Sequence, residues 1–195
     1  MVTARGKRMR LVVSEFVSLD GVIEDPGGAE QSEYGGWTVA YWSDEIAKFK
    51  ADELLACDGL LLGRVTYQGF AAAWPSMTED EGFARMNSLR KYVVSATLDT
   101  VEWNNSKLLR RNPVEEVKNL KRQSGNYLLV TGSAMLAQEL ARNNLIDEYR
   151  LAVYPVVVGN GKRLFGPGLF TGLNLAGQQA TSNGVLLLTY TIAGS

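Results

Sequence analysis

Three short apolar runs, each closing on glycine or a hydroxyl residue, constrain the fold of this chain more than any other feature. They are LLLGRVT (60–66), VVSAT (93–97) and LLVTGSA (128–134). Runs of this kind, bounded by turn residues, are the pattern of strands buried on both faces. After the first run the period changes, because Tyr67, Phe70, Ala71 and Trp74 fall at i, i+3, i+4 and i+7, which is helical spacing. A buried strand that turns directly into a helix is the unit of an α/β fold.

The rest of the chain repeats that unit. A strand is expected over residues 10–19, followed by the Gly/Pro-rich loop DGVIEDPGGAEQSEYGGW. A helix is expected over 44–56 with Ser43 as its N-cap. EDEGFARMNSL reads as a short helix, KYVVS and SKLLR as strands, and PVEEVKNLKRQ as a helix with Pro113 in its first turn. NYLLVTG is a strand and SAMLAQELARN a helix that stops at Asn143-Asn144. Beyond Ile146 the character changes. DEYRLAVYPVVVG reads as one long strand that Pro155 marks as an edge or bulged strand. Strands over 173–182 and 185–192 flank Asn183-Gly184, a strong hairpin signal. The expectation is a flexible N-terminal arm over 1–9, then a single α/β domain over 10–195. Its sheet is mixed and mostly parallel, with helices on both faces and an antiparallel C-terminal hairpin.

Composition narrows the chemistry. With 195 residues, Lys+Arg 20 and Asp+Glu 21, the net charge of −1 offers no field for nucleic acid. No run reaches the length needed to cross a bilayer, and the basic start MVTARGKRMR leads straight into a strand, so a cytoplasmic location is expected. The single cysteine, Cys57, reads as a small packing residue. The absence of histidine excludes Ser-His and Cys-His nucleophile pairs, His-ligated zinc and a His general base. Chemistry here falls to carboxylates, hydroxyls, backbone groups, Lys, Arg or a bound cofactor.

The three strand ends suit phosphate. Helix N-termini carry unpaired N–H groups and a partial positive charge, glycine lets a ligand approach the backbone, and Ser or Thr adds a hydroxyl. Helix capping alone accounts for any one of them, whereas three at comparable ends favour a dinucleotide. GNGKRLFG (159–166) matches neither a Rossmann fingerprint nor a Walker A loop, and reads as a glycine turn between strands.

SLDGVI (18–23), GRVTY (63–67) and TGSAML (131–136) stand in the order found in the dihydrofolate reductase superfamily. More closely, the chain resembles the C-terminal reductase domain of the bacterial riboflavin-biosynthesis deaminase-reductase and its stand-alone relatives, from Arg10 to Ile192. The resemblance implies a dihydrofolate reductase-like three-layer fold and NADPH as cofactor. It sets Gly63 and Thr66 against the pyrophosphate and Arg64 near the adenosine 2′-phosphate. Ser95, Ala96 and Thr97 match the second adenosine-phosphate loop. Thr131, Gly132, Ser133, Ala134 and Leu136 match the loop at the nicotinamide-side phosphate, although dihydrofolate reductases carry Gly-Gly where this chain has Thr131-Gly132.

On the substrate side, Asp20 lies at the end of the first strand, where the nicotinamide is expected. Asp44 and Glu45 open the helix that carries the substrate-gripping acid in dihydrofolate reductases, and matching Phe49-Lys50 to that family's Phe-Lys pair puts Glu45 at the acid's position. The alternatives are a turn-forming Asp-Gly for Asp20 and helix-dipole pairing for the other two. Trp37, Tyr41 and Trp42 offer stacking surface for a flat heterocycle, or simply close the core. The resemblance implies an NADPH-dependent oxidoreductase of a small heterocycle, either a ribosylamino-pyrimidine or a pterin-type compound, and a homodimer through the C-terminal strands. The apolar run YPVVVG (154–159) is compatible with the dimer. The alternative is a dinucleotide-binding or sensing protein without turnover.

Overall fold

The computed structural model describes residues 7–77 and 81–194. Eight strands form one sheet in the order β4-β3-β2-β5-β1-β6-β8-β7. In chain order these are β1 (Arg10–Ser18), β2 (Gly59–Gly63), β3 (Arg90–Val94), β4 (Ser106–Leu109), β5 (Tyr127–Val130), β6 (Glu148–Tyr154), β7 (Leu173–Ala180) and β8 (Leu186–Ile192). Strands β1 to β6 pair in parallel, while β8 runs antiparallel to both β6 and β7.

The helices are α1 (Asp44–Ala56), α2 (Arg64–Ala73), α3 (Glu81–Ser88), α4 (Pro113–Lys121) and α5 (Ala134–Arg142). Local chemistry explains their starts. Ser43 Oγ accepts from the Ile46 N–H at 3.4 Å, with Asp44 and Glu45 in the first turn of α1. Pro113 opens α4, where its missing N–H costs nothing. In α5, Ala134, Leu136, Ala137 and Leu140 are the buried positions, one stripe at helical spacing.

Alternation along the strands sends side chains to two layers. Leu11, Val13, Leu61, Leu128 and Val130 pack with Val117 and Leu120 of α4 and with Leu136, Ala137 and Leu140 of α5. Val12, Leu60, Leu62 and Leu129 pack on the other face with Tyr67 of α2 and Met86 of α3. A third cluster joins Ile46 of α1 to Ala152 and Tyr154 of β6 and to Leu187 of β8, with Trp37 and Tyr41 against it. Helices on both faces of a mostly parallel sheet give the three-layer arrangement expected from the sequence.

Two expectations need correction. The apolar run after Ile146 is not one strand, because β6 ends at Tyr154 and Pro155 begins a loop. Nor is β6 an edge, since it lies between β1 and β8. With no N–H to donate, proline ends the strand instead of sitting along an edge. At the N-terminus, residues 1–6 of the expected arm lie outside the described residues. Arg8 and Met9 are tied down, Arg8 bridging Ser124 and the Met9 N–H donating to Gln123 O at 3.0 Å. The first two residues of EDEGFARMNSL also lie outside the described residues.

The sheet order creates one special place. The chain leaves β1 through α1 toward β2, and leaves β5 through α5 toward β6, in opposite directions across the sheet. Adjacent strands whose connections run in opposite directions open a crevice at their C-terminal ends, where α/β folds bind ligands. Register deepens it. Only Arg10 to Val13 of β1 pair with β5, while pairing with β6 continues to Ser18. The edge of β1 from Ser14 to Ser18 is therefore open on the side facing β5.

Candidate functional site

The crevice is roofed by the turns that follow β2 and β5. Gly132 and Ser133 both have positive φ, at 60° and 63°, so two successive left-handed residues fold the chain sharply into α5. Ser133 Oγ accepts from the Gly63 N–H at 2.8 Å and donates to Thr66 Oγ1 at 2.9 Å, pinning the two turns together. A Cβ on Gly132 would lie 2.8 Å from Thr66 Oγ1 and 2.9 Å from its Cγ2, so only glycine fits. Gly63, Thr66, Gly132 and Ser133 thus converge. Ser133 spends its hydroxyl on this internal staple, and Thr66 accepts there while keeping its own hydroxyl proton.

The donors left for a ligand are backbone groups. Neither α2 nor α5 has a side-chain N-cap among the described residues, so the first-turn N–H groups of both, beginning at Arg64 and Ala134, lack a capping acceptor. Arg64 is exposed, its guanidinium donating to Gln68 Oε1 at 2.9 Å. Leu136 is buried in the α5 core stripe, which leaves its backbone alone facing the turn. At the third strand end no helix follows. Ser95 Oγ accepts from the N–H groups of Thr97 at 3.1 Å and Leu98 at 3.0 Å, forming a tight hydroxyl turn that leaves Ala96 and Thr97 exposed. Strands β3, β2, β5 and β1 are consecutive neighbours. Three strand spacings place their ends across about 14 Å, a span that suits an extended dinucleotide.

Two of the three carboxylates expected on the substrate side, Asp20 and Glu45, are engaged by neighbouring loops. Asp20 accepts from Ser18 Oγ at 2.7 Å and from the N–H groups of Val158 at 3.0 Å and Gly159 at 2.9 Å. Arg163 reaches its carboxylate at 3.5 Å and its carbonyl more closely. The Ser18 hydroxyl, then the loop N–H groups, hold the Asp20 carboxyl down at about 2. It is ionised at neutral pH, a staple between the loop after β1 and the loop after β6, with no proton to give. Glu45 is likewise held at about 2, first by the Ser43 hydroxyl, then by N–H groups including that of Ser182, which it meets at 3.3 Å in the β7–β8 turn. Asp44 is exposed at the start of α1.

Asp20→Asn is expected to cost about 1–2 kcal/mol at neutral pH, because an amide turns a donor toward groups that need acceptors. The folded carboxyl lies below its ordinary 3.8, so its contribution is present above that value and lost as pH falls through about 2. Urea melts at neutral pH and near pH 2 should therefore show the gap between variant and parent closing in acid.

What occupies the crevice floor instead was not singled out in the sequence. On the α1 side, Ser14 Oγ donates to Glu53 Oε2 at 2.7 Å, and Lys50 Nζ donates to Ser14 Oγ and lies 3.3 Å from Glu53 Oε2. Lys50 also sits 4.7 Å from the centroid of Phe16, whose ring meets Trp42 edge-on. Trp42 is 54% exposed, and Leu19, Val65 and Met135, each in a segment that follows the C-terminal end of a strand, are exposed as well. Tyr41 and Trp37 turn inward onto Tyr154. On the opposite face of β1, Glu15 is buried, its carboxyl facing the Gly132 N–H, and burial raises it well above 4.5. Cys57 is buried and its thiol is pushed up to about 11 by burial, which makes it unreactive packing. No helix among the described residues is long and apolar enough to cross a membrane.

Strand order, layers and the crevice define the class, a dihydrofolate reductase-like α/β fold. The chain belongs to the RibD C-terminal domain family, whose model matches residues 10–187. A curated relative, the uncharacterized protein YyaP of Bacillus subtilis, is 30% identical over 189 residues, covering 94% of this chain and 95% of the relative. Among solved structures, a putative riboflavin biosynthesis protein from Shewanella sp. PV-4 superposes with a TM-score of 0.71 at 21% identity, over 94% of this chain and 99% of that one. Dihydrofolate reductase from Enterococcus faecalis, complexed with NADP(H), gives 0.62 at 13% identity over 94% and 96%. The Thermotoga maritima deaminase/5-amino-6-(5-phosphoribosylamino)uracil reductase gives 0.66 at 15% identity, with 96% of this chain matching 57% of that longer one. At these identities the structures share the fold.

Proposed function

We propose that the protein is an NADPH-dependent reductase of a small heterocycle, akin to the aminopyrimidine or pterin-type reductions suggested by its fold relatives. The observation that carries this reading is the pinned pair of turns, in which Gly132 leaves room for nothing larger at Thr66 while α2 and α5 both start without a side-chain cap among the described residues. Such a surface fits the phosphates of a dinucleotide. Gly63, Thr66, Gly132, Ser133 and Ala134 form the cradle, Arg64 takes the 2′-phosphate through its guanidinium, and the Ser95–Thr97 turn receives the adenosine side. When bound, the dihydronicotinamide supplies hydride. The open edge of β1 positions flat rings, and Trp42 gives them a stacking surface at the rim.

The test is a thermal-shift comparison. NADPH at about a hundred times its Kd should add roughly 2.7 kcal/mol, a rise of about 5–10 °C for a chain of this size, and NADH markedly less. Arg64→Ala should erase the difference between the two. Equal shifts in the parent protein would remove Arg64 from the 2′-phosphate, and no shift with either would remove the cofactor. Loss of NADPH absorbance across a panel of aminopyrimidines and pterins separates a reductase from a binding protein without turnover.

A further inference from the structure

Glu15 is the one acid on the floor of the crevice that the cofactor cradle leaves unexplained. It stands on β1 between Val13 and Val17, the strand face that packs against α5, and is 5% exposed. Its Oε1 has no hydrogen-bond partner among the described residues, and the Gly132 N–H faces its carboxyl. It lies on the stretch of β1 that has lost β5 as a neighbour, directly under the turn that follows β5. A buried carboxyl oxygen aimed at nothing, at an open strand edge, is costly unless something else completes it.

The charges around it are already matched. Lys50 and Glu53 of α1 both act on Glu15, but Lys50 is bonded to Ser14 and paired with Glu53 at 3.3 Å. Arg150 of β6 acts on Glu53 and is itself held by Glu148 at 2.6 Å. A second anion on the floor would have no cation of its own, and burial raises the Glu15 carboxyl, which favours its protonated form. A cation arriving over the open edge of β1 reverses that balance.

We propose that Glu15 is the residue through which the crevice distinguishes oxidised from reduced nicotinamide, holding its proton beside the uncharged ring and releasing it to solvent beside the cationic one. The inference rests on the cofactor reading and adds to it a linkage between proton and ligand charge. By that linkage NADP+ binding releases up to about one proton, and its Kd tightens by up to tenfold for each unit of rising pH over which Glu15 is protonated. NADPH gains nothing, since its ring carries no positive charge. The 2′-phosphate is common to both dinucleotides and drops out of the comparison.

The experiment is calorimetric titration of the full chain with NADP+ and with NADPH, in two buffers of different ionisation enthalpy, across neutral pH, for the parent and Glu15→Gln. Glutamine copies the neutral acid, so the variant should fold and still bind both dinucleotides. The expected result is proton release with NADP+ that exceeds that with NADPH, and loss of this excess in Glu15→Gln together with a flattened pH dependence of the NADP+ Kd. Equal proton release for the two dinucleotides, or an excess that survives in Glu15→Gln, overturns the role of Glu15 while leaving the cofactor in place. Failure of both dinucleotides to bind the parent protein overturns both readings. Difference infrared spectra give a readout independent of binding. A protonated-carboxyl band in the free protein at neutral pH should vanish in Glu15→Gln, and its absence from the parent would overturn the inference.

Discussion

Gly132→Ala is expected to destabilise the protein by about 3 kcal/mol and to abolish its stabilisation by NADPH. Two costs add. An L residue in the left-handed region costs about 1–2 kcal/mol, and Gly132 sits at a φ of 60°. The new methyl would also meet Thr66 Oγ1 at 2.8 Å and Cγ2 at 2.9 Å, well inside contact distance. Thr66 cannot swing away freely, because it is β-branched and its hydroxyl holds Ser133 at 2.9 Å. Overpacking of that kind costs about 1–3 kcal/mol. Relief by moving the turn would part Ser133 from the Gly63 N–H and open the cradle, which is why binding is lost along with stability. Urea unfolding of Gly132→Ala, Thr66→Ala and the double variant separates the two costs. The double variant should recover the steric part and leave the backbone strain, giving a favourable coupling of about 1–2 kcal/mol. If the double variant is as unstable as the sum of the singles, the contact with Thr66 is not the reason glycine stands there.

The parts of this architecture that were legible in the sequence are those set by local chemistry. The Ser43 cap, Pro113 at the start of α4, and the apolar runs of β2 and β5 depend on neighbours within a few residues, and each stands where the pattern put it. The convergence of Gly63, Thr66, Gly132 and Ser133 was legible only as three similar strand ends. That two of them are pinned by one serine hydroxyl depends on β2 and β5 being neighbours, which no local signal reveals. The acids show the limit most clearly. Asp20 and Glu45 stood out because they begin or end elements, and the structure uses them to fasten element ends. Glu15 carried a signal that could have found it, since a strand alternating Val13, Glu15, Val17 puts an acid on a core face. Its meaning lay in the register, which leaves β1 unpaired toward β5 beyond Val13.

Lys50→Met should show how the floor is held, through a loss of stability that depends on pH. Lys50 Nζ joins Ser14 and Glu53 from a side chain 19% exposed, facing a glutamate side chain that is 2% exposed. Replacing it by an apolar chain of similar length keeps the packing against Phe16 and leaves Glu53 a buried carboxylate without the ammonium that met it. Arg150, held by Glu148 and Tyr127, acts on Glu53 without an ion pair to it among the described residues. Breaking one side of such a pair costs about 3 kcal/mol or more at neutral pH. Glu15 sets the sign of the pH dependence. Burial raises its carboxyl above 4.5 and Lys50 pulls it back, so the folded protein holds a proton that the unfolded chain gives up above that value. Its burial penalty is therefore absent below 4.5 and grows as pH rises toward the folded value. Removing Lys50 lifts that upper limit, so the fall continues to higher pH. The gap between Lys50→Met and parent should be small near pH 4 and largest near pH 8, followed by urea midpoints at each pH. In Lys50→Met combined with Glu15→Gln the Glu15 part of the slope disappears. A gap that is flat across this range would mean that Lys50 holds the floor by packing alone, and that neither glutamate depends on its charge.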